Sequence, residues 1–296
     1  MLIEPSKHVG IIFQPRSGSH VVRHYLSIAA NCIDLGELFN PVVNTCQLTD
    51  IDFNEKLLKP RSANLKPLGK TSGLTTDDEF LKHADESADF LNKLSDENIN
   101  TVFGIVTSSY KNIMDETSTI IKSTNTQLFR LERADVLGSL ISLQVAMKSN
   151  RWHNPTFRDP NMGPYDIEIT KNKQLRFVLP DLLESLEKYV INYKEVNRLY
   201  GELPTIYYEQ FQNNVGNLRN LFTGIPKRII SIPYNKIGID YKSLIANLND
   251  IEDLYETFVN DNKEYFPQYF GKLPHVTIPK SQGRQPRDLS SLQLAA

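Results

Sequence analysis

The chain has 296 residues, with 33 Lys+Arg against 35 Asp+Glu for a formal charge of −2, 40% hydrophobic residues and two cysteines. A chain of this length buries about three quarters of its unfolded surface, so it needs no disulfide or metal staple. Near-neutral charge argues against a nucleic-acid partner, which takes much of its affinity from a basic excess. Cys32 and Cys46 are too few for a disulfide framework and lack the close spacing of zinc or redox pairs, which points to a reducing, cytoplasmic setting. The first apolar run, Val9 to Phe13, is interrupted by Gln14-Pro15-Arg16, too early for a secretory h-region. No stretch reaches the roughly 18 apolar residues of a membrane span.

Val9 to Phe13 is β-branched and aromatic. It leads through a Pro/Gly/Ser turn into an apolar-periodic stretch, Val21, Val22, Tyr25, Leu26 and Ala29, which reads as strand, tight loop and helix. Residues 34–41 break this unit, and the Pro-, Lys-, Asn- and Ser-rich segment up to about Thr75 reads as loop with short helices. Thr76-Asp77-Asp78-Glu79 is a capping-box signature, and Phe80, Ala84, Ala88 and Leu91 share one face, which predicts a helix over 77–94. Thr101 to Val106 and Thr126 to Leu131 read as buried strands, with a helix from Ala134 to Met147 after the second. Beyond a Pro/Asn/Gly-rich excursion at 154–164, Pro180 opens a one-sided helix carrying Leu182, Leu186, Tyr189, Tyr193 and Val196, and Gly201 closes it. Thr205 to Glu209 reads as a fourth strand, followed by a helix near 250–260 and a polar tail over 280–296. Strands alternating with helices, with no repeat and no clear linker, predict one α/β domain over 1–296 with a central parallel sheet in three layers.

In an open parallel sheet the ligand lies outside the carboxyl ends of the strands, where a helix start offers free N–H groups to an anion. The loop after the first strand, Gln14-Pro15-Arg16-Ser17-Gly18-Ser19-His20, supplies a glycine for close approach, two hydroxyls and a guanidinium fork. An ordinary strand-to-helix turn capped by Ser19 is the plainer reading of the same residues. The Gly-x-x-x-x-Gly-Lys-Ser/Thr pattern of a triphosphate loop is absent, as is Gly-x-Gly-x-x-Gly, which disfavours an ATP-dependent kinase and a dinucleotide enzyme. His20 and His24 are spaced to share a helix face, but no third ligand accompanies them and no metal is expected.

Pro15-Arg16-Ser17-Gly18-Ser19 resembles the 5′-phosphosulfate loop of sulfotransferases that use 3′-phosphoadenosine 5′-phosphosulfate (PAPS). Three further stretches are similar, in order and spacing, to the bacterial trehalose and nodulation-factor sulfotransferases: Gly36 to Pro41, Leu131 to Asp135 with Ser142 and Leu143, and Ile206 to Phe211. Two positions differ, with His20 where such loops carry Thr or Ser and Val106 where the middle strand of the family carries Lys. The resemblance implies a P-loop-like sulfotransferase fold that moves a sulfuryl group from PAPS to a hydroxyl of a carbohydrate or glycolipid, leaving adenosine 3′,5′-bisphosphate.

PAPS carries two anionic ends, and the sequence offers two matching places. One is Arg16, Ser17, Gly18, Ser19 and His20; the other is Arg133 with Ser139 or Ser142 on the following helix, Arg130 being the competing arginine. A surface salt bridge from Arg133 to Glu132 or Asp135 is the alternative for that arginine. Arg16 suits charge stabilisation during transfer. The resemblance puts Glu37 in the role of general base, with a solvated surface charge as the alternative, and His20 stands as a second candidate base or sulfate donor. The basic tail, with Lys280, Arg284 and Arg287, reads as a disordered end or as a lid over the nucleotide. The rival functions are a nucleotide-dependent phosphotransferase and a nucleotide-binding protein without catalysis. Segments 42–75 and 150–180 are expected to shape the acceptor pocket.

Overall fold

The computed structural model describes residues 8–39, 76–107, 114–149, 176–222 and 245–266. Five parallel strands form one sheet: β1 (His8–Phe13), β2 (Ile33–Asp34), β3 (Thr101–Val106), β4 (Thr126–Glu132) and β5 (Thr205–Tyr207). Their order is β2-β3-β1-β4-β5. β1 therefore sits between β3 and β4 and is not paired with β2, whereas in both common doubly wound orders the first two strands are neighbours. The chain leaves β1 toward one edge, returns through β3 and crosses to β4, so the carboxyl end of β1 lies where the direction of winding reverses. Every residue of β1 and β3 is buried, which explains why these strands read as continuous apolar runs rather than alternating ones.

The helices are α1 (Ser19–Ala29), α2 (Asp77–Asp96), α3 (Met114–Ser123), α4 (Val136–Ser149), α5 (Leu179–Tyr200), α6 (Leu218–Leu221) and α7 (Leu248–Asp261). Ile12, Phe103 and Ile105 point to one face of the sheet and pack with α2, α3 and the end of α5. Val9, Ile11, Phe13, Val102 and Val106 point to the other, against α1 and α6. This is a three-layer α/β arrangement. A third apolar cluster joins α4, α5 and α7 around Leu186, Ile251 and Phe266.

Local chemistry sets the boundaries. At α2 both halves of the capping box are present: Thr76 Oγ1 accepts from Glu79 N and Glu79 Oε2 accepts from Thr76 N, each at 3.2 Å. Two elements differ from their expected ends. The helix expected from Ala134 begins at Val136 because Asp135 Oδ1 accepts from Gly138 N at 2.8 Å and acts as its cap. The strand expected to reach Glu209 stops at Tyr207, and Tyr208–Gln210 form a 3-10 turn held by Gln210 Oε1 accepting from Tyr207 N. Three elements are new: β2, at the start of the expected break, α3 and the short α6. The segments 42–75 and 150–175, the 154–164 excursion, Asn40-Pro41 and the 280–296 tail lie outside the described residues. No helix among the described residues is long and apolar enough to cross a membrane.

Candidate functional site

The loop from β1 to α1 is held in an unusual backbone shape. Arg16 has φ 69° and Gly18 has φ 84°, so two of three consecutive residues are left-handed. For a non-glycine residue that conformation costs about 1–2 kcal/mol. A Cβ at Gly18 would lie 2.6 Å from Cδ2 of Tyr208, so glycine is required both for backbone angle and for close approach. Gly18 contributes its carbonyl to the first turn of α1, accepting from Val21 N at 3.0 Å, but no side chain caps this end and no carboxylate lies in the first turn. The alternative reading of this loop as a turn capped by Ser19 does not hold, because Gly18 stands at the cap position. The positive dipole end of α1 thus has no side-chain cap. Ser17 is 2% exposed and its Oγ has no hydrogen-bond partner among the described residues.

The start of α4 is brought against this loop. Arg16 Nε donates to Ser142 Oγ at 3.0 Å, and Ser139 Oγ donates to the Pro15 carbonyl at 3.3 Å. Arg133 Nη1 lies 3.5 Å from the Arg16 carbonyl, and its guanidinium stacks 4.8 Å over the Tyr208 ring. The residues assigned to two anion sites thus stand side by side across the carboxyl ends of β1 and β4. Ser139 and Ser142, equivalent in the sequence, are distinguished here: Ser142 meets the arginine of the loop, Ser139 its backbone.

The two arginines also separate. Arg130 is engaged at every side, with Glu132 Oε1 at 3.2 Å, Asn197 Oδ1 at 2.7 Å and the Tyr193 ring at 4.5 Å. Burial pushes the Glu132 carboxyl above the usual carboxylate range, against the pull of Arg130. Arg133 pairs with neither Glu132 nor Asp135; its Nε lies 3.7 Å from Glu209 Oε1. Glu209 in turn accepts from Ala134 N at 2.8 Å and Asp135 N at 3.3 Å, which ties the end of β4 to the turn after β5. Sequence reasoning missed Glu209 as an organising residue. It stood in the Ile206 to Phe211 stretch that carries the resemblance, where no role was given to it.

Glu37 belongs to a different wall of the same sheet edge. Beyond β2 the chain continues to pair with β3, Leu35 N donating to Val102 O at 2.9 Å and Gly104 N to Gly36 O at 2.8 Å. Gly36 N donates to Asp34 Oδ1, and His83 Nε2 of α2 donates to the Leu38 carbonyl at 3.1 Å. These contacts fix Glu37 in a turn beside the carboxyl half of β3, followed by the buried Leu38 and Phe39. His20 sits in the first turn of α1, its Nδ1 2.7 Å from Arg23 Nη2. Between β1, β4, α4 and α5 lies a cleft of about 610 Å³ counting its open mouth, lined in part by Ser17, Thr107, Glu132, Arg133 and Ser139. Thr107 Oγ1 is buried there without a hydrogen-bond partner among the described residues.

No family model matches the sequence, and no curated protein matches it either.

Proposed function

We propose that this chain is a sulfotransferase that uses PAPS and carries the sulfuryl group to a hydroxyl of a carbohydrate or glycolipid. One observation carries the reading. The Arg16–Ser19 loop and the Arg133–Ser142 helix start meet at the carboxyl ends of β1 and β4, joined by the Arg16–Ser142 hydrogen bond. A ligand with a phosphosulfate at one end and a 3′-phosphate at the other needs two cationic, hydroxyl-bearing places of this kind at one helix N-terminus and one strand end. The loop has a helix start without a side-chain cap and a Ser17 hydroxyl with no partner among the described residues, but not the lysine of a triphosphate loop.

The reaction is an in-line displacement. The acceptor oxygen forms a bond to sulfur while the bridging S–O bond to the 5′-phosphate breaks, and adenosine 3′,5′-bisphosphate leaves with the bond's electron pair. Arg16 and the N–H groups of α1 stabilise the charge that gathers on the transferring group and the leaving phosphate. Glu37 takes the proton of the acceptor hydroxyl. Arg133, supported by Tyr208 and Glu209, holds the 3′-phosphate with Ser142 or Ser139. Titration calorimetry with adenosine 3′,5′-bisphosphate and with ATP tests the reading. Binding of the bisphosphate well above ATP is expected; preference for ATP moves the chain to the phosphotransferase class, and binding of neither removes the nucleotide.

A further inference from the structure

Arg23 is an unexpected resident of the core. It lies on α1, is 2% exposed and reaches three neighbours: His20 Nδ1 at 2.7 Å, Asp34 Oδ1 at 3.6 Å, and the strand position Gly104. A Cβ at Gly104 would stand 3.4 Å from Arg23 Nη1 and closer still to the Phe13 ring, so the glycine makes the space in which this guanidinium lies. Nε and Nη1 have no hydrogen-bond partner among the described residues. A buried cation held this way is retained against a high desolvation cost, and its one short hydrogen bond goes to a histidine of the anion loop.

A guanidinium has donors only. The His20 nitrogen that faces Arg23 must therefore present its lone pair, and the proton of the neutral ring sits on Nε2. We propose that Arg23 is a positioning residue that fixes His20 as the Nε2–H tautomer, so that His20 meets an anionic oxygen at the loop as a hydrogen-bond donor and does not act as the base. Asp34 completes the device, because the Oδ1 that faces Arg23 also accepts from Gly36 N at the turn carrying Glu37. The same buried charge thus holds the donor at one wall and steadies the base-bearing turn at the other. The role of His20 toward a transferring group rests on the sulfotransferase reading; its tautomer does not.

The test begins with the full-length, ligand-free chain labelled with nitrogen-15 and a two-bond proton–nitrogen spectrum, His20 being assigned by its loss in His20→Gln. The expected pattern has one unprotonated ring nitrogen coupled to Hε1 alone and one protonated nitrogen coupled to both Hε1 and Hδ2. The opposite pattern, or two protonated nitrogens near neutral pH, overturns the proposal even if Arg23→Met does not fold. Arg23→Met, if folded by circular dichroism, should give an exchange-averaged mixture of tautomers, and an unchanged pattern removes Arg23 from the role. Under the sulfotransferase reading His20→Gln, whose amide can place an N–H near the Nε2 position, should keep at least tenfold more turnover than His20→Asn, and equal loss in both contradicts the donor role. Absence of turnover in the wild type, with the expected spectrum, sinks the sulfotransferase reading and leaves the tautomer assignment standing.

Discussion

Substituting Gly18 by alanine probes the loop more directly than removing any of its charges. The residue has φ 84° and its missing Cβ would meet the Tyr208 ring at 2.6 and 2.9 Å. The ring cannot simply swing aside, because it is 5% exposed, packs edge-on to Phe211 at 5.4 Å between centroids, and carries the Arg133 guanidinium on its face. Forcing an L residue into the left-handed region costs about 1–2 kcal/mol, and overpacking a filled site about 1–3 kcal/mol, so Gly18→Ala should destabilise the protein by roughly 2–5 kcal/mol. Tyr208→Ala should cost about 3–5 kcal/mol by the usual large-to-small penalty. In the double variant the ring is gone and the steric part vanishes while the backbone part stays. The pair should therefore cost less than the sum of the singles by about 1–3 kcal/mol, well beyond the few tenths expected for independent sites. Urea unfolding followed by far-ultraviolet circular dichroism on the four proteins measures this cycle. Strict additivity would refute the claim that the ring of Tyr208 and the backbone of Gly18 occupy one packed contact.

Three further outcomes follow from the site and the core. Arg16→Ala and Arg133→Ala should each weaken adenosine 3′,5′-bisphosphate by about 10- to 150-fold, the range of a lost charge-assisted bond of roughly 1.5–3 kcal/mol, and Arg130→Ala should act mainly on stability because Glu132 and Asn197 already occupy it; calorimetry and urea midpoints separate the two kinds of effect. Glu37→Gln should keep bisphosphate affinity within about threefold while turnover drops by about a hundredfold or more, the contribution of a general base, and a steady-state rate close to wild type would remove Glu37 from the mechanism. Stability should fall on acidification through two buried histidines. His8 lies 2.8 Å from the Leu91 carbonyl, Ser95 Oγ and Thr101 Oγ1, His83 bonds the Leu38 carbonyl, and burial lowers both below the ordinary 6.5. The unfolded chain thus binds more protons than the folded one below that value. The contribution is complete above about pH 6.5 and is lost as pH falls beneath it, so replacing both histidines with glutamine should flatten the change in unfolding free energy between about pH 7.5 and pH 5.5.

The parts of this fold that were legible in the sequence are those with a local cause. β1, β3 and β4 are short apolar runs because both their faces are covered, and α2 declares itself through a capping box whose two hydrogen bonds both form. β2 gives no such signal. It is two residues long, and what makes it a strand is the edge of β3, to which Ile33 to Gly36 offer backbone groups. α3 is equally quiet, a polar stretch rich in Thr and Ser whose helical state depends on burying Met114 and Ile121 against α2 and the sheet. In the site, Arg16, Ser17, Gly18 and Ser19 were visible as a chemical set, whereas the left-handed turn at Arg16 and its bond to Ser142, 126 positions away, belong to tertiary structure alone. Arg23 and Glu209 were missed for a related reason. A charge on a helix or in a strand-like run reads as a solvated group until the fold encloses it.

The central claim is that a sulfuryl group moves from PAPS to a sugar hydroxyl at the loop following β1. Its most direct test is transfer of radiolabelled sulfate from PAPS to a panel of glycans and glycolipids, run with the wild type and with Arg16→Ala. Label should appear in at least one acceptor with the wild type and fall by about tenfold or more with Arg16→Ala, in line with the loss of a charged contact. Label confined to PAPS and inorganic sulfate across the panel, or transfer indifferent to Arg16, would contradict the account.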